Sequence, residues 1–444
     1  MQIEFVNHAS VLISDKDTAV LMDPWYSGPA FHKGWTLLHE TPDTEVSDLL
    51  KRTTHLWLSH EHPDHFSVPF FKRHGAQIRA QGIEMYFQKI EDQRVADFIR
   101  AEGITLHEMT FGQSYTLGDL ELTCLKDDFY DSLVSIKSED QHILNLNDCH
   151  VNTPARAKLI LDQAGPCDVL LTQFSYAAWK GGPENRAWRE TAAREKLDNI
   201  ALQAELLKPR TVIPFASYVA FSNERNAYLN DAANRPQDVI DRFKDADFDL
   251  QIMAPGDVFT GTVDPEMTAR AISFWDAAYS RAETAPLQRF ETKSYEEIAE
   301  TFQTYTARVF ANNSRWMMRA AQVASPVRVF QPVVVELDDL GINVKIDVPR
   351  AQLTQTTEAP HLKMHSESLW FLFSNSFGFD TLGVNGCFEE MQEGGFSRAA
   401  KSIAIENLNN LGIRFGPGLV FEGKVIAVFF ERLIAASRKL RGQS

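Results

Sequence analysis

Residues 55–65 read HLWLSHEHPDH. Leu56, Trp57 and Leu58 make a compact apolar strand with Ser59 at its end. The next six positions supply three imidazoles and one carboxylate: His60, His62, Asp64 and His65. Neutral imidazole nitrogen and carboxylate oxygen are ligands for zinc, iron or manganese. His60 and His62 are two residues apart, so extended backbone points both to one side. Pro63 turns the chain, which lets Asp64 and His65 face back from the other side. Such an arrangement can grip two metal ions a few ångström apart. The bland alternative is a polar surface loop; its position directly after a buried strand favours the metal site. Glu61 reads as solvated.

Outward from this stretch, the first 260 or so residues alternate short apolar strands with amphipathic helices. TAVLMD (18–23), ELTCLKD (121–127), HILNLND (142–148), DVLLTQFS (168–175) and TVIPFAS (211–217) read as strands. Between the last two, Ala193, Leu197, Ile200, Ala201, Ala204 and Leu207 recur at helical spacing, and Pro209 marks the stop. The alternation implies an α/β layer fold. Several strands end in polar groups: Asp23, His60, Asn147 with Asp148, and Ser217. If they run side by side in one direction, these ends converge on one edge, where layered α/β folds build their sites. A second, smaller α+β domain is expected at 265–444, after a first domain at 1–264. In it, VVVELDDLGINVKIDV (333–348) reads as a β-hairpin, SLWFLFSNSFGF (368–379) as apolar core and 425–441 as a helix.

The chain has 444 residues, enough for two or three domains, and a net charge of 44 − 60 = −16. That balance disfavours nucleic acid and anionic membranes as partners. The four cysteines form no CxxC pair and read as reduced thiols of a cytoplasmic protein. No leader peptide and no membrane-spanning run are expected.

The pattern H-x-H-x-D-H after such a strand resembles the signature of the metallo-β-lactamase superfamily. DPWYSGPAFHKGWTLLHE (23–40), LSHEHPDHFS (58–67), ILNLNDC (143–149) and LLKPRTVIPFASYVAFS (206–222) resemble CMP-N-acetylneuraminate hydroxylase, outside its Rieske module. Likeness to ascorbate-6-phosphate lactonases is more distant. The resemblance implies an αββα sandwich over 1–264. It also implies that Asp148 bridges two metals, that Asp23 orients a ligand imidazole, and that His8 lies near the site, unless His8 is simply structural. Hydrolytic members usually add two further histidines. One region here reads LKDDFYDS, where Asp127, Asp128 and Asp131 compete for a ligand role and Asp128 is favoured; in the other, IPFAS has Ala216 where hydrolases tend to have His. A site richer in carboxylate suits iron or manganese better than zinc.

Trp25, His32, Lys33, Trp35 and His39 lie in the stretch most like the hydroxylase and line the substrate mouth, or else are packing residues. Lys180, Arg186 and Arg189 could hold a phosphate or carboxylate, or form a solvated face; Arg210 and Ser217 are weaker candidates. The leading expectation is an iron oxygenase, with two metal ions, acting on a polar, nucleotide- or sugar-linked small molecule with dioxygen. None of the cysteines offers Rieske spacing, so electrons would come from a separate donor protein or from the substrate. The alternative is a metallo-hydrolase of a lactone, amide or phosphoester, with zinc among the candidate metals.

Overall fold

A computed structural model describes residues 1–127 and 130–417. Asp128, the favoured third carboxylate, and the helix expected at 425–441 therefore lie outside the described residues. The chain divides into two compact units: residues 1–289 with 383–387, and residues 290–382 with those from 388 onward.

The first unit is built on two seven-stranded sheets. In one, Thr18–Met22, His55–Leu58, Glu84–Gln88 and Leu106–Met109 run parallel. An antiparallel edge of Ser10–Asp15, Gln2–Asn7 and Val258–Phe259 completes it. The other has a parallel core of His142–Asn145, Val169–Gln173, Thr211–Phe215 and Asp249–Leu250. The antiparallel strands Ser132–Lys137, Leu120–Lys126 and Ser114–Leu117 extend it.

The strands are apolar on both faces because both faces are covered. On His55–Leu58, Trp57 joins the core between the sheets, while Leu56 and Leu58 turn outward. There they meet Val46, Leu50, Phe70, Phe71, Val95 and Ile99 from the helices Asp43–Arg52, Val68–Ala80 and Arg94–Ala101. Thr18–Met22 repeats the division: Val20 and Met22 face in, Ala19 and Leu21 face out. The second sheet is covered by Pro154–Ala164, Arg186–Leu207 and Pro236–Phe243, through residues such as Ile160, Leu197, Ile200, Ala204 and Val239. The result is the αββα sandwich of the metallo-β-lactamase fold.

The long helix Arg186–Leu207 ends where Lys208 takes a left-handed conformation (φ 54°), followed by Pro209. The short strands Glu84–Gln88, Leu106–Met109, Ser114–Leu117 and Ser132–Lys137 are additions to those read from the sequence. The helix Pro265–Thr284 falls in the first unit rather than at the start of the second. Its Trp275 is fully buried, stacks on Tyr218 with ring centroids 3.8 Å apart and donates Nε1–H to the Met253 carbonyl.

The second unit holds a five-stranded mixed sheet in the order Gln352–Thr356, Ile342–Asp347, Val333–Leu337, Leu362–Met364, Phe388–Glu390. The expected hairpin is present, with Val335 opposite Val344. The apolar stretch forms the helix Ser366–Ser374, whose Leu369, Leu372 and Phe373 are buried. Phe373 packs on Phe302 and Tyr305 of the helix Tyr295–Asn312.

Trp57 is the largest side chain that the metal-loop strand gives to the core between the sheets, and it is fully buried. Trp57→Ala should lower the unfolding free energy by about 3–5 kcal/mol, read by urea denaturation. A loss under about 1 kcal/mol would mean that this core does not anchor the strand.

Candidate metal centre

The parallel strands of both sheets release their C-terminal ends at one edge. Three of them end in a non-glycine residue of positive φ: Asp23 (41°), Asn147 (50°) and Ala216 (52°). Such backbone costs about 1–3 kcal/mol per residue and concentrates at functional sites. Here it breaks the strands sharply, so the next residues turn over the edge. The Ala216 N–H donates to the His8 carbonyl at 2.7 Å, joining the edge of one sheet to the other. The Ser59 carbonyl accepts from Gln88 Nε2 (3.0 Å) and Ser132 Oγ (2.6 Å), which pins the start of the metal loop.

Asp23 and Ser59 stand behind two of the imidazoles. Ser59 donates N–H to Asp23 Oδ1 and Oγ–H to Asp23 Oδ2, each at 2.8 Å. His65 Nδ1 lies 3.0 Å from Asp23 Oδ2 and His60 Nδ1 lies 2.9 Å from Ser59 Oγ. The hydroxyl proton goes to the carboxylate, so Ser59 Oγ is left as an acceptor for a ring N–H. Both rings are thereby held by Nδ1 with Nε2 turned toward the cluster, the orientation in which Nε2 can ligate a metal.

Those Nε2 atoms face a cluster of oxygens. His65 Nε2 is 3.4 Å from Asp64 Oδ2 and 3.6 Å from Asp148 Oδ2; the same Asp148 oxygen is 3.9 Å from His60 Nε2. His60 Nε2 is also 3.8 Å from Asp131 Oδ1 and 2.9 Å from His62 Nδ1. His8 Nε2 lies 3.3 Å from Asp64 Oδ2. The residues form overlapping groups, His60–His62–Asp131, His60–His65–Asp148 and His8–Asp64–His65, with candidate ligand atoms of each group within 4.8 Å of one another. Asp148 stands between the outer two.

The donor set fits metal ions. Ligands about 2.1 Å from a tetrahedral ion are about 3.4 Å apart, close to several of these separations. Among the described residues, Asp64 Oδ1, Asp148 Oδ1, His8 Nδ1 and His65 Nε2 are buried without a hydrogen-bond partner. Buried polar atoms left unpaired this way call for an explanation, and an ion is one.

The electrostatics agree. Burial opposes charge on His65, but the Asp64, Asp148 and Asp23 carboxylates outweigh it and hold the ring well above the usual histidine range. Burial and the neighbouring His65 hold His60 well below that range. Burial works against ionised Asp148, yet His65 and His60 hold it well below the usual carboxylate range. Burial and then Asp148 push Asp131 well above it. The cluster thus keeps protons where a cation can replace them.

His60, His62, Asp64, His65 and Asp148 come together here, with His8 and Asp23. His8 is closer than expected, in direct reach of Asp64. Of the three candidate aspartates, Asp131 lies within reach of His60 and His62 and Asp127 groups with Asp131 and His150, while Asp128 lies outside the described residues. Asp127 is also tied to Arg156 and accepts the His150 N–H at 2.7 Å. Ser59 was not singled out from sequence, although it directly precedes His60. Lys196 was also missed: its Nζ donates to Gln173 Oε1 at this edge.

The expected substrate residues divide. Trp25 packs edge-on against His8, with centroids 5.6 Å apart. His32 and Lys33 lie on a left-handed turn (φ 52° and 59°) that follows Phe31, whose ring meets His62 at 5.6 Å. Trp35 is buried against Phe31 and Phe221. The His39 ring packs on Phe274. Ser217 is buried and its Oγ accepts the N–H groups of Phe174 and Ser175, each at 3.1 Å, so its oxygen is engaged in holding the strand ends. Arg186 is exposed and pairs with Glu190. Arg189, fully buried, is committed to Asp231 and to the Gly182 and Pro183 carbonyls. Arg210 donates to the Gly261 carbonyl.

Residues 2–173 match the model of the "Beta-lactamase superfamily domain". Cytidine monophosphate-N-acetylneuraminic acid hydroxylase of Cricetulus griseus is 30% identical over 247 residues, covering 52% of this chain and 42% of the relative. The human relative, described as an inactive form of that hydroxylase, is 28% identical over 250 residues, 52% of this chain and 48% of its own. The chain thus spans less than half the length of these curated relatives. Among solved structures, CmlA, a diiron β-hydroxylase from Streptomyces venezuelae, superposes with a TM-score of 0.43 at 16% identity, covering 58% of this chain and 53% of its own.

Replacing Asp23 with Asn removes the charge behind His65 and Ser59 at constant volume. Metal affinity should fall about 10- to 100-fold in competition with a chelator, with thermal stability largely kept. Unchanged affinity would show that Asp23 does not orient the ligands. Residues 2–173 thus match a β-lactamase superfamily domain, and about half of the chain resembles the CMP-N-acetylneuraminic acid hydroxylases.

Proposed function

We propose that the protein is a metal-dependent hydroxylase with a two-metal centre held by His60, His62, Asp64, His65, Asp131 and Asp148, with His8 at its rim. The observation that carries this reading is the convergence of His60 Nε2 and His65 Nε2 on one Asp148 oxygen, at 3.9 and 3.6 Å, with both rings tied behind by Asp23 and Ser59. Three carboxylates among these donors favour iron, with manganese next and zinc last. Bound there, iron would supply the activation of dioxygen that hydroxylation requires.

The chain's own residues do the rest. Asp148 bridges the two halves of the centre and Asp23 keeps His65 in its ligating orientation. Phe31 against His62 and Trp25 against His8 give apolar walls that limit water at the site. The reaction would insert one atom of dioxygen into a C–H bond and release the other as water. It would draw two electrons and two protons from a donor, for which a separate redox protein is proposed. The names of the relatives support a polar, nucleotide- or sugar-linked substrate.

A second reading, metal-assisted hydrolysis, is favoured by the superfamily match over residues 2–173. Ala216 weighs against it, since it offers no ligand where hydrolases of this fold tend to have one.

Metal analysis of protein purified without added metal, with oxygen uptake measured alongside, separates the two. The proposal expects about two irons per chain, as in a two-metal site, and substrate turnover that stops without oxygen. His60→Ala and Asp148→Ala should lose the metal and keep the circular dichroism of the parent. Zinc in the site with turnover that persists without oxygen would support hydrolysis. Full metal content in both variants would overturn the assigned ligands.

A further inference from the structure

A centre built from buried donors needs a way in for its ions. His8, His60, Asp64 and His65 are buried, while His62, Asp131 and Asp148 are partly exposed. A fourth donor group extends beyond the centre: Asp127, Asp131 and His150, again with candidate ligand atoms within 4.8 Å of one another. His150 is exposed to solvent. Its place is fixed by the backbone. The His150 N–H donates to Asp127 Oδ2 at 2.7 Å, and the His150 carbonyl accepts the Asn152 N–H at 2.9 Å. Asp127 is anchored in turn: Arg156 holds its Oδ1, and its N–H donates to the Asp131 carbonyl at 3.0 Å. These bonds run through backbone and the Asp127 carboxylate, so the His150 ring takes no part in them.

The groups are linked in series. His8–Asp64–His65 and His60–His65–Asp148 share His65; the second shares His60 with His60–His62–Asp131; that group shares Asp131 with Asp127–Asp131–His150. Exposure rises along the series, from a first group that is buried throughout to a last group with an exposed imidazole. Asp131 reaches both ways, since its Oδ1 also lies 3.8 Å from His60 Nε2. The last group is a weak one, because Asp127 shares its carboxylate with Arg156. A stop on an ion path must bind well enough to collect the ion and loosely enough to release it. Two carboxylates and one imidazole, open to water, meet that demand for a divalent first-row metal.

We propose that Asp127, Asp131 and His150 form a loading port: a divalent transition-metal ion lands on them and passes to the centre through Asp131. The inference rests on the two-metal centre proposed above, and it adds a residue, His150, that ligates in transit and not at rest. A port lies on the path and outside the end state. Its loss therefore slows entry and exit by the same factor and leaves the affinity of the centre unchanged, since an equilibrium constant does not depend on the path. Loss of a resident ligand would weaken that affinity instead.

The test loads the metal-free full chain with cobalt(II) and follows its visible absorbance by stopped flow. Release is followed with excess chelator, at a concentration where the rate no longer rises. His150→Ala and His150→Gln should slow uptake and release together about tenfold, the lower end of what losing a partner costs a metal site. Final cobalt content and affinity should equal the parent's. His150→Glu, which restores a ligand oxygen, should return both rates toward the parent's. Because His150 is exposed, all three variants should keep the parent's circular dichroism. Slow loading in His150→Glu as well would tie the effect to shape and overturn the port. Weaker affinity or a lost ion in His150→Ala would make His150 a resident ligand, which also overturns it. A parent chain that takes up no cobalt defeats the centre and the port together; a parent that loads no faster than His150→Ala defeats the port alone.

Discussion

The site depends on one array: Asp23 accepting two hydrogen bonds from Ser59 while His60 and His65 lean their Nδ1 atoms on that pair. It turns the Nε2 atoms of two buried imidazoles toward the same Asp148 oxygen. Without it, rings so close together would rotate to satisfy themselves. His60 Nε2 and His62 Nδ1 lie 2.9 Å apart. The array joins two adjacent parallel strands, since Met22 is in register with Trp57. The site is therefore as rigid as the sheet beneath it.

The second sheet contributes charge rather than imidazole. Asp131 precedes the strand Ser132–Lys137 and Asp148 follows His142–Asn145, so both lie at the same end of one antiparallel ladder. Ser132 pairs with Lys126, and the Asp127 N–H donates to the Asp131 carbonyl at 3.0 Å. Left-handed backbone at Asn147 swings Asp148 over the edge. Carboxylates so close together, in a chain already at −16, are costly unless cations or protonated rings face them. That tension explains why the cluster carries opposed shifts on neighbouring groups.

How far the sequence could be read follows from how local each constraint is. HLWLS and the imidazole string are decided within eleven residues, and TAVLMD within six, so the strands and the His60, His62, Asp64 and His65 set could be read directly. The third carboxylate could not be read, because Asp127, Asp128 and Asp131 lie within five residues of one another in the sequence and nothing in that spacing chooses among them. Ser217 shows where a rule fails: it ends a strand at the right edge, but its hydroxyl is taken by two backbone N–H groups. Lys196 was invisible for the opposite reason. It is one of several cations on a helix whose outer face is exposed, and contact with Gln173 sets it apart.

The central claim is that His60 and His65 share Asp148 around metal. The most direct measurement is anomalous diffraction from crystals of protein loaded with iron or manganese. The account predicts anomalous peaks lying between Asp148 and the Nε2 atoms of His60 and His65, with Asp23 still bonded to His65. Peaks elsewhere on the chain, or loaded crystals with no peak at this edge, would contradict it.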